Sequence, residues 1–162
     1  MPALQGLAAS VAALLKAREE TIAIAESSTG GLISAALLVV PGASAYFVGG
    51  GVIYTHLARE ALLEIELSAH PGMRASTEPY AALSASVMRQ RLGTVWALAE
   101  TGATGPTGNR YGDAAGHSCI AVAGPVNQSV TLETGLADRE ENMWLFTKKA
   151  LEVLEQAIRA AE

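Results

Sequence analysis

The run Thr21-Ile22-Ala23-Ile24-Ala25 is short, β-branched and almost wholly apolar, and it stops abruptly at Glu26-Ser27-Ser28-Thr29 ahead of Gly30-Gly31. A strand with no polar side suits the centre of a sheet that is covered on both faces. The segments around it have the right character to cover it. Leu4, Leu7, Val11, Leu14 and Leu15 recur at three- and four-residue spacing up to Lys16 and Arg18, which predicts an amphipathic helix over Leu4 to Arg18. Gly30 to Val39 reads as a second helix, stopped by Pro41-Gly42.

Further along, a strand is expected at Gly50 to Tyr54 and a short helix at Thr55 to Leu63. Ser76 or Thr77 then caps a long helix with Pro79 in its first turn, and Gly93 ends it. Thr94 to Glu100 is the next strand, and Thr101 to Gly116, with five glycines and a proline, reads as loop. His117 to Ala123 and Ser129 to Thr134 are close enough to form an antiparallel hairpin. Asp138 with Glu141 opens the final helix, whose buried face is Met143, Phe146, Ala150, Leu154 and Ile158. The fold class is α/β: a three-layer α/β/α sandwich with a mixed, mostly parallel sheet, in one domain spanning residues 1–162.

Half of the residues are hydrophobic and 17% are charged, far from the composition of a disordered chain. A net charge of −5 and eleven scattered Lys and Arg residues give no footprint for a phosphate polymer, so no nucleic-acid partner is expected. No apolar stretch approaches the roughly 20 residues that span a bilayer, and the start lacks a secretory basic region. No membrane partner and a cytoplasmic location are the expectation. Cys119, the single cysteine, lies in an apolar run and reads as core, which leaves neither an internal disulfide nor a thiolate metal cage.

In open α/β sheets ligands collect beyond the carboxyl ends of the strands, and three segments begin there: Glu26 to Gly31, Tyr54 to Arg59, and Thr101 to Gly108. The first offers three hydroxyls, on Ser27, Ser28 and Thr29, beside glycines that permit close backbone approach. Helix-start amides near Thr29 to Gly31 are expected to be unpaired and to favour an anion or oxyanion. The competing reading makes Ser27 or Ser28 a simple N-cap. The turn lacks the lysine of a phosphate loop, the paired glycines of a dinucleotide fingerprint and the Gly-x-Ser-x-Gly of esterases.

These motifs, Ala25-Glu26-Ser27-Ser28-Thr29-Gly30-Gly31, Pro41-Gly42-Ala43-Ser44, Gly50-Gly51-Val52-Ile53-Tyr54 and Thr101-Gly102-Ala103-Thr104-Gly105-Pro106, resemble in order and spacing those of the CinA C-terminal domain. That family includes the nicotinamide mononucleotide (NMN) deamidases, also called PncC, and the resemblance runs from the first helix to Asp138-Arg139. It implies hydrolysis of the nicotinamide carboxamide to a carboxylate with release of ammonia, without metal or cofactor. Ser27 would attack the amide carbon, Tyr54 assist proton transfer, Thr101 hold the reacting group, Arg139 meet the substrate and Glu26 orient the site. Ser28, Thr29, Gly30, Gly31, Gly102 and Gly105 complete the expected substrate-binding set, for a small nucleotide substrate or ligand.

One departure stands out. The family motif carries, after the tyrosine, a lysine that activates the serine, and Arg59 takes that catalytic position here. A guanidinium with a pKa above about 12 stays charged and cannot act as a base, although it suits phosphate or carboxylate. His56, where the family has asparagine, is the candidate replacement base. Ser28 stands where many members have cysteine, and Asn109-Arg110-Tyr111-Gly112-Asp113 replaces the usual loop continuation, which points to a changed substrate preference. Three readings follow: an amide hydrolase, a non-catalytic homologue that binds a nucleotide or small anion in the same cleft, and a subunit that works through oligomer contacts. A homo-oligomer is expected, with Met143 and Trp144 as interface candidates against a role in the core.

Overall fold

The computed structural model describes residues 4–161. Five strands form one mixed sheet: β1 (Ile22–Glu26), β2 (Phe47–Val52), β3 (Trp96–Ala103), β4 (His117–Ala123) and β5 (Gln128–Glu133). Their spatial order is β2-β1-β3-β4-β5. β2, β1 and β3 run parallel, while β4 and β5 add antiparallel to one side. Helices α1 (Gln5–Arg18), α2 (Leu32–Leu38) and α5 (Arg139–Ala160) cover one face. The other face carries α4 (Glu78–Leu92) and the short α3 (His56–Ala58), which continues as a π-turn over Arg59–Leu63. This is the expected three-layer α/β/α sandwich.

β1 is central and buried along its whole length, as an apolar strand without a polar side must be. Its alternation nevertheless divides the core into two unlike halves. Ile22, Ile24, Trp96, Leu98, Ile120 and Val122 point to the three-helix face. Ala23, Ala25, Ala97 and Ala99 point to the other, where α4 presents Ala81 and Ala85, so small side chains on both surfaces let α4 lie flush on the sheet. Cys119, buried beside Ala81 and Ala121, belongs to that tight layer.

The helix signals behave as their chemistry dictates. The Thr77 hydroxyl accepts from Tyr80 N, so Thr77 and not Ser76 caps α4, and Gly93 closes it in the left-handed conformation with φ 64°. The Asp138 side chain accepts from Glu141 N at the start of α5. The hairpin of β4 and β5 is antiparallel as expected.

Two boundaries are corrected. The strand expected at Gly50 to Tyr54 is Phe47–Val52, because Gly49, Gly50 and Gly51 lie within an edge strand where they pair with Ala23, Ile24 and Ala25. A Cβ on Gly50 would stand 2.1 Å from the Ile24 carbonyl oxygen, so the glycine answers to close approach and not to a turn. Thr101 to Ala103 are strand and not loop, since β3 goes on pairing with β4 through Thr101 and Cys119, Gly102 and Ser118, and Ala103 and His117. Of the expected buried face of α5, Met143 is only half-buried, while Phe146, Ala150, Leu154 and Ile158 are sealed.

The unlike halves should respond oppositely to volume. Leu98→Ala should open a cavity in the large-residue half and lower stability by about 2–5 kcal/mol. Ala97→Leu, one residue away on the flush side, should overpack and lower it by about 1–3 kcal/mol. Urea midpoints of the two variants check this, and indifference of the protein to Ala97→Leu would show that α4 does not lie flush.

Candidate active site

The parallel neighbours β1 and β3 each carry a carboxylate toward their carboxyl ends, and both are buried: Glu26 is 0% and Glu100 2% exposed. A carboxylate withdrawn from water needs hydrogen-bond donors, and the serine turn supplies them. Glu26 Oε1 accepts from Thr29 Oγ1 at 2.8 Å, Gly31 N at 2.9 Å and Ile33 N at 3.1 Å. Its Oε2 accepts from Ser34 N at 2.9 Å and Ser34 Oγ at 2.7 Å. Glu26 thus caps α2 from the preceding strand, and neither Ser27 nor Ser28 does so. Gly30 and Gly31, with φ 64° and 100°, give the chain the left-handed bend that wraps these amides around the carboxylate.

Glu100 holds the same turn from the neighbouring strand. Its Oε2 accepts from Ser27 N at 3.1 Å and Thr29 N at 3.0 Å, and lies 3.0 Å from Thr29 Oγ1. Its Oε1 accepts from Ser28 Oγ and, at 3.3 Å, from Ser118 Oγ. Among the described residues no cation joins this group, and burial pushes the Glu100 carboxyl above the usual carboxylate range despite the bonds from Ser28, Thr29 and Ser27 that pull it down. Thr29 Oγ1 lies between the two carboxylates with one proton to give, so a proton on Glu100 completes the chain of bonds from Glu100 through Thr29 to Glu26.

This arrangement overturns the expected anion hole near Thr29 to Gly31. Thr29 N and Gly31 N are taken by Glu100 and Glu26, and Gly30 N donates to the Ser27 carbonyl oxygen at 3.1 Å. Ser28 N alone among the turn amides donates to no partner within the described residues. The three hydroxyls are equally unlike one another. Ser28 and Thr29 are tied to the buried carboxylates, whereas Ser27 Oγ makes no hydrogen bond among the described residues and Ser27 lines a cleft.

That cleft, about 200 Å³, brings Ser27 together with Tyr54, His56, Arg59 and Thr101, so that all three strand-end segments meet in it. Thr101 Oγ1 accepts from Ser76 N at 3.1 Å and so ties β3 to the turn before α4. A second cleft of about 220 Å³ lies alongside, sharing Tyr54 and Asn109 and adding Ser28, Gly102, Gly105 and Arg139. Tyr54, 59% exposed, stands between the two: its hydroxyl accepts from Arg139 Nη2 at 3.0 Å, while Arg139 Nη1 donates to the Gly105 carbonyl oxygen at 2.6 Å. Glu26, Thr29, Gly30 and Gly31 line neither cleft; they shape the turn from behind. Met143 and Trp144 are half-buried, and Trp144 packs on the large-residue core.

Sequence reasoning missed Glu100 as a site residue. Its one signal is a lone acid closing the apolar run Val95-Trp96-Ala97-Leu98-Ala99. It also left Asn109, Arg110 and Tyr111 outside the site set, although all three form a wall of the first cleft. Arg74 holds that wall through Asp113, at 2.8 and 3.2 Å, and Asn109 Nδ2 donates to Asp113 at 2.8 Å. His117 lies behind it with Nδ1 on Glu133 and Nε2 2.8 Å from the Ser76 carbonyl oxygen. Burial alone would lower the His117 pKa, but these acceptors outweigh it and raise it. Among the described residues no group of His, Cys, Asp or Glu is placed to hold a metal ion, and no helix is long and apolar enough to cross a membrane.

Glu100 gives the fold a pH dependence. Its folded-state pKa lies above the unfolded value, so the folded protein binds the additional proton between the two, and stability falls as pH rises through that window. Glu100→Gln, neutral at every pH, should flatten this part of the stability profile. Urea unfolding of the two proteins from acidic to neutral pH checks it, and parallel profiles would show that Glu100 keeps an ordinary pKa.

The sequence profile of the CinA C-terminal domain matches residues 4–158. A CinA-like protein of Parasynechococcus marenigrum (strain WH8102) is 39% identical over 127 residues, covering 78% of this chain and 30% of that protein. One from Gloeobacter violaceus (strain ATCC 29082 / PCC 7421) is 36% identical over 155 residues, covering 94% of this chain and 36% of that one. The chain therefore spans about a third of the length of these relatives. Among solved structures, competence damage-inducible protein A from Klebsiella pneumoniae subsp. pneumoniae MGH 78578 superposes with a TM-score of 0.92 at 25% identity, covering 98% of this chain and 99% of that one. The competence/damage inducible protein of Agrobacterium tumefaciens does so with a TM-score of 0.88 at 26% identity, covering 96% and 95%. The motifs, the three-layer fold and these matches agree: the chain belongs to the CinA C-terminal domain family.

Proposed function

We propose that the protein is a metal-independent carbon–nitrogen hydrolase of the nicotinamide mononucleotide deamidase type, turning NMN and water into nicotinic acid mononucleotide and ammonia. The observation that carries this reading is the inequality of the turn hydroxyls: among the described residues Ser27 Oγ alone of the three is unpartnered, in a cleft that also holds Tyr54 and Thr101. In this scheme Ser27 Oγ bonds to the carboxamide carbon and gives up its proton, the tetrahedral oxyanion collapses, and ammonia leaves with a proton returned to it. Water then cleaves the acyl ester and restores the serine. Ser28 N, the one turn amide without a partner among the described residues, is the backbone donor for the oxyanion in this scheme.

The proton acceptor in this scheme is His56. Arg59 stays charged and takes no proton, while His56 lines the same cleft as Ser27. Tyr54, steadied by Arg139, assists transfer to the leaving nitrogen, and Thr101 supports the carboxamide. Arg59 also favours a second reading, in which the cleft binds a nucleotide or small anion and does no chemistry.

Incubation of the purified protein with NMN should release ammonia, and Ser27→Ala should lower the rate at least about 10³-fold. His56→Ala should lower it by about 10²–10⁴-fold, and a full rate in that variant would remove His56 as the base. Binding of NMN by calorimetry without ammonia release leaves the second reading in place of the first.

A further inference from the structure

The lysine-to-arginine change at position 59 alters more than the base. Arg59 is 7% exposed, on the π-turn that follows α3, a helical irregularity that recurs at functional sites. Its Nε donates to the Ile65 carbonyl oxygen at 3.3 Å, which fixes the plane of the guanidinium. Nη1 and Nη2 make no hydrogen bond among the described residues. The nearest carboxylate, on the exposed Glu60, lies 4.0 Å from Nη2, beyond hydrogen-bond reach. The Tyr80 ring, 6.0 Å from the guanidinium carbon, offers a π face but no acceptor.

The residue is largely buried, yet the only buried side-chain nitrogen or oxygen without a partner among the described residues is Ser84 Oγ, so the two Nη atoms keep contact with solvent and lack only a protein acceptor. A guanidinium fork held in place and open in this way suits an anion that enters from solvent. Its surroundings point the same way. The chain carries a net charge of −5, yet the cleft with Ser27 and Thr101 is lined by Arg59, Arg110 and His56 and by no Asp or Glu. Ser27, Thr101 and Asn109 add neutral hydrogen-bonding groups around the arginines. The cleft, about 200 Å³, has ample room for a tetrahedral phosphate or a planar carboxylate. The planar fork of an arginine matches two oxygens of either group at once, which a lysine cannot do.

We infer that the Ser27 cleft contains an oxyanion-binding site in which Arg59, supported by Arg110, holds a phosphate or carboxylate of the ligand beside Ser27. The site selects ligands that carry such a group and exists whether or not the bound molecule is hydrolysed. Its failure is therefore separable from failure of the hydrolase reading: phosphate and acetate carry no amide, so their binding is read on the Arg59 variants without any turnover, whereas the hydrolase reading is read as ammonia release from NMN.

Thermal unfolding and isothermal titration with inorganic phosphate, and in parallel with acetate, test the site on the full chain. Millimolar phosphate should raise the midpoint temperature of the wild-type protein, and Arg59→Met should abolish that rise. If Arg59→Met fails to fold, Arg59→Lys keeps the charge without the fork and should weaken phosphate binding about tenfold, and Arg110→Ala, at an exposed position, should weaken it less. A response to phosphate alone assigns the site to a phosphoryl group, a response to acetate alone to a carboxylate, and a response to both to oxyanions in general. No response to either anion, or phosphate binding that Arg59→Met and Arg59→Lys leave unchanged, overturns the inference.

Discussion

Two buried carboxylates, Glu26 at the end of β1 and Glu100 on the adjacent β3, hold the serine turn from behind, and the character of the site depends on them. Because their strands are hydrogen-bonded neighbours, the sheet itself sets the separation of the two acceptors. The turn must then place its donors to suit both. Glu26 gathers the opening amides of α2, and Glu100 gathers Ser27 N, Thr29 N and the hydroxyls of Ser28 and Thr29. What remains unclaimed is small and specific: the Ser27 hydroxyl and the Ser28 amide. Selection by exhaustion of donors is how a turn with three hydroxyls comes to present only one to the cleft.

The same logic explains which parts of the fold were legible in the sequence. Caps and terminators are local chemistry, so Thr77, Gly93 and the Asp138 with Glu141 pair marked their helices correctly. The central strand was legible because an all-apolar run has only one place in a sheet. Glycines misled where their role is tertiary. Gly102 lies within β3 because a Cβ there would stand 2.4 Å from the His117 carbonyl oxygen, a contact that no local pattern announces. Gly49 to Gly51 misled for the same reason at the sheet edge.

Within the site, the strand-end segments were legible by residue, and Ser27, Tyr54, Arg59 and Thr101, drawn from all three, do share a cleft. The role of Glu26 as a cap, and not a substrate contact, was not legible, since it depends on where the next helix turns. Glu100 was hidden because its partners in the serine turn lie more than seventy positions away. That arginine replaces the family lysine could be read from the residues. That its Nη atoms stay open and lack a protein acceptor is a property of the packed π-turn and of the acid-free cleft around it.

The central claim is that the turn amides are bound internally by Glu100 and Glu26, which leaves the Ser27 hydroxyl unclaimed at the cleft. Residue-resolved amide hydrogen exchange by NMR tests it most directly. The account predicts slow exchange at Ser27, Thr29 and Gly31 and rapid exchange at Ser28, with Glu100→Ala releasing Ser27 and Thr29 while Gly31 stays protected by Glu26. Rapid exchange at Ser27 and Thr29 in the unaltered protein, or protection of Ser28 equal to theirs, would contradict it.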